Sequence, residues 1–100
     1  MRRRFELADT EPFEFEADGS SYRFSGLRAL ATRENHETLV NEYVFKLPTG
    51  KYVSLTAVGD DDQYGKNGLT RGWYVAQILS ESDALWLVNA LASFMEASRQ

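Results

Sequence analysis

The chain of 100 residues has no cysteine, two prolines and a single histidine, His36. The lack of cysteine excludes a disulfide framework, a thiolate metal site and a cysteine–histidine catalytic pair. A serine–histidine–aspartate arrangement would have to use His36, which lies in the polar segment ENHET and matches no nucleophile motif. We interpret His36 as a solvated turn residue and predict no catalytic residue, so the protein is expected not to be an enzyme.

Long apolar runs are also missing, and none approaches the length of a transmembrane helix. The arginines at positions 2–4 lead into a charged segment instead of the apolar core of a signal peptide. The net charge of −4 opposes nonspecific attraction to nucleic acid or anionic lipid. We expect a soluble, cytoplasmic protein without membrane contact.

The residues that are present suit one folded domain. Apolar residues make up 43% of the chain, aromatic residues 13% and charged residues 26%, a composition that fits a packed core under an ordinary charged surface. A chain of this length can fold around a single core without disulfides. We predict one α+β domain over residues 1–100, with residues 1–10 as a flexible N-terminal segment.

The segment FEFEADGSSYRF alternates aromatic and polar residues on both sides of Asp18-Gly19. Such alternation around a two-residue turn is typical of a β-hairpin whose tip needs positive φ. The predicted register places Phe15 opposite Tyr22 and Glu14 opposite Arg23, because a slip of one residue would set aromatic side chains against charges. The aromatic face is expected to be core and the charged face to be solvated.

Further strands follow this hairpin. Its second strand is expected to continue to Arg33 with a change of phase at Gly26. Three more segments have the alternation and the β-branched or aromatic content of strands, at residues 39–47, 51–58 and 72–79. Pro48 and Gly50 supply the turn of a second hairpin. The strands together predict one antiparallel sheet.

The C-terminal segment SESDALWLVNALASFMEASRQ is predicted to be a helix, because Ser80 and Asp83 resemble a capping box. Its apolar stripe, which must be buried against the sheet, consists of Ala84, Leu87, Val88, Leu91, Phe94 and Met95. Trp86 lies beside this stripe and is expected at the edge of the sheet–helix core. The predicted fold is an antiparallel sheet of about five strands, with hairpins at Asp18-Gly19 and Pro48-Gly50, and one C-terminal helix packed on it.

The segment GDDDQYGKNG, residues 59–68, joins two of these strands and combines three aspartates with an aromatic residue, a lysine and three glycines. A calcium loop of the EF-hand type needs oxygen ligands at fixed positions. Counted from Asp60, the fifth, seventh and twelfth positions hold Tyr64, Lys66 and Arg71 instead. A phosphate-binding loop would lie between a strand and a helix. We predict a solvated acidic and aromatic tip without a metal or a cofactor.

Acidic groups beside aromatic residues suit a protein-binding surface, since acids steer association with a basic partner and aromatic rings supply contact area. The first hypothesis is a small acidic, non-enzymatic module that docks on another protein. A special case is an inhibitor that mimics the charge of nucleic acid. The candidate partner-binding residues are Asp60, Asp61, Asp62, Tyr64, Trp73 and Tyr74.

The C-terminal half resembles the transcriptional coactivator family of single-stranded-DNA-binding proteins. The similarity lies in KYVSLTAV, a turn-rich insertion and then GWYVAQILSESDALWLVNAL, which correspond to a strand, a loop, a strand and a helix that carries a tryptophan. The resemblance implies an antiparallel sheet followed by one helix, and a single strand of nucleic acid bound by basic and aromatic side chains of that sheet. In this chain the corresponding loop is acidic.

Nucleic-acid binding is therefore the second hypothesis. Its candidate residues are Arg23, Arg28, Arg33, Lys51, Lys66 and Arg71. The first three lie within residues 19–33, a segment without acids that could form a basic stripe. A third hypothesis is a structural or assembly subunit that forms a homodimer through a strand edge or through the Trp86 side of the helix.

A first prediction concerns the acidic segment. Asp60, Asp62 and Tyr64 are predicted to be accessible to solvent and to bind no metal. A calcium titration monitored by thermal unfolding is expected to leave the unfolding temperature unchanged, because a ligand raises it only by binding the folded state. A large upward shift would show that the segment binds calcium.

Overall fold

The computed structural model describes residues 2–8, 10–61, 63–65 and 68–98, with side chains described as far as Ser93. Asp62 and Lys66, both candidate site residues, lie outside the described residues. The side chains of Phe94 and Met95, which belong to the predicted apolar stripe, lie outside them as well.

Nine strands and one helix make up the described chain. The main sheet consists of β1 (Arg2–Glu6), β4 (Ala29–Asn35), β5 (Val40–Lys46), β6 (Tyr52–Gly59) and β9 (Arg71–Leu79). Its strand order is β1-β9-β6-β5-β4, and all neighbours are antiparallel. Two small hairpins are β2 (Glu14–Ala17) with β3 (Ser20–Arg23), and β7 (Tyr64–Gly65) with β8 (Gly68–Leu69). The helix α1 (Glu81–Ser98) follows β9. The predicted α+β fold, a five-stranded antiparallel sheet with one C-terminal helix, is confirmed.

The hairpin at Asp18-Gly19 has the predicted register, with Phe15 opposite Tyr22. Both turn residues have positive φ, 53° and 77°, as a two-residue turn of this kind requires. The hairpin strands do not join the main sheet, however, because a 3-10 turn at Phe24–Gly26 ends β3. The hairpin instead folds over one face of the main sheet, where the ring of Phe15 stacks on that of Phe45 at 5.8 Å.

The N-terminal segment supplies the fifth strand of the main sheet. The sequence indicated a flexible segment over residues 1–10, but β1 pairs with β9 from Arg2 opposite Val75 to Glu6 opposite Arg71. Phe5 explains the difference, since only 7% of this residue is exposed and its ring contacts that of Phe13 at 4.9 Å. One apolar residue between charged ones makes too short a pattern for a strand to be predicted from sequence.

A core packs against each face of the main sheet. On the hairpin side lies an aromatic-rich core that includes Phe5, Phe13, Phe15, Tyr43, Phe45 and Tyr74. On the helix side lies a smaller cluster, in which Ala84 and Leu91 of α1 pack on Val44 of β5. A one-residue shift in any central strand would exchange these two faces, so the alternation of the strands fixes the register of the sheet.

The helix begins as predicted, with the N–H of Asp83 donating to Ser80 Oγ at 3.2 Å. Ala84 and Leu91 of the predicted stripe are buried. Trp86 was expected at the edge of the core, and this expectation is wrong, because the residue is 71% exposed. At 100° per residue it is rotated by about 200° from Ala84 and about 140° from Leu91, so it points away from the sheet. Among the described residues, no helix is both long and apolar enough to cross a membrane.

Gly72 permits the close approach of β9 to β6. Its φ is +151°, and a Cβ at this position would lie 1.9 Å from the carbonyl oxygen of Val58. We predict that Gly72→Ala lowers the free energy of unfolding by at least about 2 kcal/mol, because backbone atoms must move to admit the methyl group. Urea unfolding would measure this change.

Gly26→Ala is the matched control, because a Cβ there meets nothing closer than the Cβ of Arg23 at 3.8 Å. The control is expected to change the unfolding free energy by less than about 1 kcal/mol in either direction. Equal effects of the two substitutions would contradict the role given to Gly72.

Candidate functional site

The connection between β6 and β9, where it is described, is tied to the body of the protein at several points. Leu69 is 4% exposed and belongs to the hairpin-side core. The N–H of Gly59 donates to the carbonyl of Leu39 at 2.8 Å, and the N–H of Asp60 donates to the carbonyl of Arg71 at 3.2 Å. The acidic start of the connection therefore adjoins β1 and β9, while Tyr64 reaches the turn between β4 and β5.

The first two aspartates of this connection form ion pairs. Asp60 Oδ2 lies 2.7 Å from the Arg4 guanidinium, and Asp61 pairs with Arg71. Asp61 also accepts a hydrogen bond from the N–H of Gln63 at 3.1 Å, and this bond, followed by the contact with Arg71, lowers the pKa of the Asp61 carboxyl. The charges of Asp60 and Asp61 are thus neutralised by two arginines of the same chain. These two residues therefore do not form the free acidic tip that the sequence indicated.

The helix covers only one end of its side of the sheet. It packs on Val44, Tyr52 and Leu79. Tyr52 is the first residue of β6 and is paired with Leu79, the last residue of β9. Val58 and Trp73 form a pair near the other end of the same two strands. Val58 remains 39% exposed, and Trp73 is partly exposed. This end of the sheet face is therefore open to solvent.

Two arginines of β1 surround the ring of Trp73. The guanidinium carbons of Arg2 and Arg4 lie 4.8 Å and 5.4 Å from its centroid, within the range of cation–π contacts. Arg4 lies opposite Trp73 in the strand pairing, and Arg2 lies opposite Val75. We call Arg2, Arg4, Val58, Trp73 and Val75 the Trp73 patch.

Tyr74 was a candidate partner-binding residue, and its position requires a correction. Successive strand residues point to opposite faces, so Tyr74 points into the hairpin-side core while Trp73 points to the helix side. Only 6% of Tyr74 is exposed, its ring lies 5.6 Å from that of Phe13, and its hydroxyl accepts a hydrogen bond from the N–H of Glu16 at 3.1 Å. Tyr74 attaches the first hairpin to the main sheet and is not accessible to a partner.

Tyr64 borders a different surface. Its ring stacks on that of His36, with centroids 4.4 Å apart and an angle of 22° between the planes. Beside the two rings lies an open cleft of about 450 Å³, which we call the Tyr64 cleft and whose walls include Phe24, Glu34, His36, Tyr43 and Tyr64. His36 is exposed, as the sequence indicated, but its ring is also one side of this stack.

Glu34 and Tyr43 are residues of this cleft that sequence reasoning missed. The hydroxyl of Tyr43 donates to Glu34 Oε1 at 3.3 Å. Burial, and then the negative charge of Glu34, raise the pKa of Tyr43. The same two causes, in the same order, raise the pKa of Tyr64. Glu34 and Tyr43 meet because β4 pairs with β5. Tyr64 comes from a distant part of the chain and reaches this site through its stack on His36, in the turn after β4.

The described basic residues of the nucleic-acid hypothesis do not share one surface. Four of them are paired with carboxylates: Arg23 with Glu14, Arg33 with Glu42, Lys51 with Asp18, and Arg71 with Asp61. Arg28 is exposed and has no carboxylate partner among the described residues. Arg23, Arg28 and Arg33 lie on β3, on the segment before β4 and on β4. Arg33 lies on the helix side of β4, two residues from Ala31, while Arg23 lies on the first hairpin over the other face of the sheet, so these two arginines do not share a stripe.

No known family model, curated protein or solved structure matches this chain. Within the part of the chain that the structure describes, no three histidine, aspartate or glutamate side chains are grouped so that they could hold a metal ion. Among the described residues, the Trp73 patch and the Tyr64 cleft each combine partly exposed aromatic side chains with charge. Both can contribute to binding.

The assignment of Tyr74 to the core can be tested by removing its hydroxyl. We predict that Tyr74→Phe lowers the unfolding free energy by about 1 kcal/mol, because the N–H of Glu16 loses its acceptor. Tyr22→Phe is the control, since the Tyr22 hydroxyl has no hydrogen bond within the described residues. Urea unfolding of both variants would measure the difference, and equal stabilities would contradict the role of Tyr74.

Proposed function

We propose that this protein is a small non-enzymatic binding module that docks on another protein through the Trp73 patch. The observation that carries the proposal is the open end of a sheet face on which a partly exposed tryptophan is held by two arginines. Tryptophan and arginine are the residue types that most often dominate the binding energy of protein interfaces. A rigid sheet is also a favourable support for such residues.

The patch is ordered before any partner binds. Asp60 Oδ2 lies 2.7 Å from the guanidinium of Arg4, and the guanidinium carbon lies 5.4 Å from the centroid of the Trp73 ring. Side chains that are already fixed lose less conformational entropy on association. This preorganisation supports a binding role and gives Asp60 a part in it, as a residue that positions Arg4.

The chemistry of the patch indicates the chemistry of the partner. Val58, Trp73 and Val75 form an apolar centre, so the partner must bring an apolar group to it. Arg2 lies at the rim and has no carboxylate partner among the described residues. We therefore expect a partner surface that is apolar at its centre and carries a carboxylate opposite Arg2.

The ion pairs of the acidic segment change the charge argument. A charge mimic of nucleic acid needs carboxylates that are free to replace phosphates. Asp60 and Asp61 are instead neutralised by Arg4 and Arg71. Docking on a protein therefore has more support than the special case of an inhibitor that imitates nucleic acid.

Single-stranded nucleic acid is the second candidate ligand. The observation in its favour is that Arg2, Arg4 and Trp73 combine cations with an aromatic ring on an open sheet surface, as single-strand-binding proteins do. The net charge of −4 and the two aspartates beside the patch oppose it. A homodimer formed through the same patch is a third candidate.

Affinity capture with matched variants would test the proposal. Extract from the cells that produce the protein is passed over the wild-type chain, Trp73→Ala and Trp86→Ala. We predict a protein that the wild type and Trp86→Ala retain and that Trp73→Ala binds at least about tenfold more weakly, the usual effect of removing a dominant interface residue. Trp86 is a suitable control because it is 71% exposed on another surface.

Further controls separate the alternatives. Arg2→Ala, which removes an exposed side chain, should also weaken capture, so a loss on Trp73→Ala cannot be attributed to unfolding alone. A fluorescent single-stranded oligonucleotide is titrated at several salt concentrations, and tight binding that falls steeply with salt would favour nucleic acid over protein. The mass in solution identifies a homodimer. Equal capture by the wild type and Trp73→Ala would contradict the proposal.

A further inference from the structure

The Tyr64 cleft lies on a different surface from the Trp73 patch and has its own chemistry. Its volume of about 450 Å³ is within the range of small-ligand sites, roughly 300–1,000 Å³. The cleft residue Glu34 lies on β4 and His36 lies in the turn after it, while Tyr43 lies on β5 and Tyr64 on β7. Because these elements are held by the main sheet and by the core residue Leu69, the cleft is present without a ligand.

Glu34 gives the cleft a negative charge. Among the described residues, Glu34 has no arginine or lysine partner, and its one hydrogen bond comes from the hydroxyl of Tyr43 at 3.3 Å. This sets it apart from other carboxylates of the surface, such as Glu14, Glu16 and Glu42, which are paired with arginines. Burial raises the pKa of Tyr43 and of Tyr64, and the negative charge of Glu34 raises both further.

The walls of the cleft are aromatic. The ring of Phe24 contacts that of Tyr43 edge to face at 4.7 Å, and the ring of Tyr64 stacks on His36. Aromatic faces attract organic cations, and the attraction grows as water is excluded. In addition, the hydroxyl oxygen of Tyr64 is buried and has no hydrogen-bond partner among the described residues.

We propose that the Tyr64 cleft binds an organic cation, a primary ammonium or a guanidinium on an aliphatic stem, with Glu34 as its counter-ion and the rings of Tyr43 and Tyr64 as its walls. Hydrogen bonds from the N–H groups of a cation to an ionised carboxylate are charge-assisted and therefore stronger than neutral ones. The aliphatic stem would lie against the aromatic rings. The same chemistry belongs to a free alkylamine and to a lysine or arginine side chain of a protein.

The test uses the full chain and four probes. Amide resonances are followed by NMR during titration with N-acetyl-lysine methylamide, its arginine counterpart, n-butylammonium and the uncharged N-acetyl-norleucine methylamide. The cationic probes are expected to shift the resonances of Glu34, His36 and Tyr64, and the norleucine probe is expected not to shift them. A norleucine probe that shifts the same resonances at the same concentration would overturn the proposal, because the cleft would then be merely apolar.

Two substitutions test whether the Glu34 carboxylate is responsible for binding the cation. Glu34→Gln is expected to weaken the binding of the lysine probe by about tenfold, the usual loss for a hydrogen bond to a charged group. Glu37→Gln is the matched control, because Glu37 is exposed in the adjoining turn and its side chain has no partner among the described residues. The control should change the affinity by less than about twofold, in keeping with the weak effect of a screened surface charge. Unchanged affinity in Glu34→Gln would overturn the proposal.

The probes also identify the source of the cation. A lysine probe that binds at least about tenfold more tightly than n-butylammonium would indicate a side chain of a partner protein, while equal affinities would indicate a free amine. Either result supports an organic-cation site. Trp73→Ala should leave the cation titration unchanged, so failure at this cleft and failure of the Trp73-dependent capture remain separate results.

Discussion

The close approach of β9 to its two neighbours at Gly72 is the constraint on which the rest of the structure depends. Gly72 is paired with Phe5 of β1 and with Gly59 of β6, and a side chain there would overlap the backbone of β6. On its other side β9 pairs with β1, which brings Arg2 and Arg4 to Trp73. The connection between β6 and β9 starts beside β1, so that Asp60 reaches Arg4. The Trp73 patch therefore depends on the position of β9 between β6 and β1.

The two faces of the main sheet are covered unequally, and this asymmetry creates the Trp73 patch. The first hairpin spreads aromatic rings over one face, from Phe13 beside Tyr74 to Phe15 beside Phe45. On the other face, α1 starts where β9 ends and packs on Val44, so the opposite end of the strands stays open. An apolar surface of this kind is a common feature of interaction sites. Trp86 is exposed for a different reason, since it belongs to the outer side of the helix.

Six carboxylates of the described residues are neutralised by arginine or lysine side chains close to where they lie. The pairs of Asp60 with Arg4 and of Asp61 with Arg71 remove the acidic character that the segment GDDDQYGKNG suggests at those two positions. Exposed pairs of this kind contribute little to stability, so their main effect here is to neutralise the two carboxylates. Glu34 differs, because the groups around it are phenols and a phenyl ring instead of arginines. The same connection therefore contributes a matched ion-pair network to one surface and an aromatic wall to an anionic cleft on another.

The sequence alone determined the features that depend on neighbouring residues. These are the Asp18-Gly19 and Pro48-Gly50 hairpins with their registers, the helix start at Ser80 and the α+β class, because turn chemistry and side-chain periodicity act over a few positions. Tertiary structure decided what depends on distant contacts: that β1 joins the sheet, that the first hairpin forms its own layer, that Tyr74 is buried and that Trp86 is exposed. It also decided both candidate surfaces, since Arg4 meets Asp60 and Glu34 meets Tyr64 only after strands far apart in the chain have packed. Local propensity carries no information about such pairs, because their energy arises from burial and charge in the folded sheet.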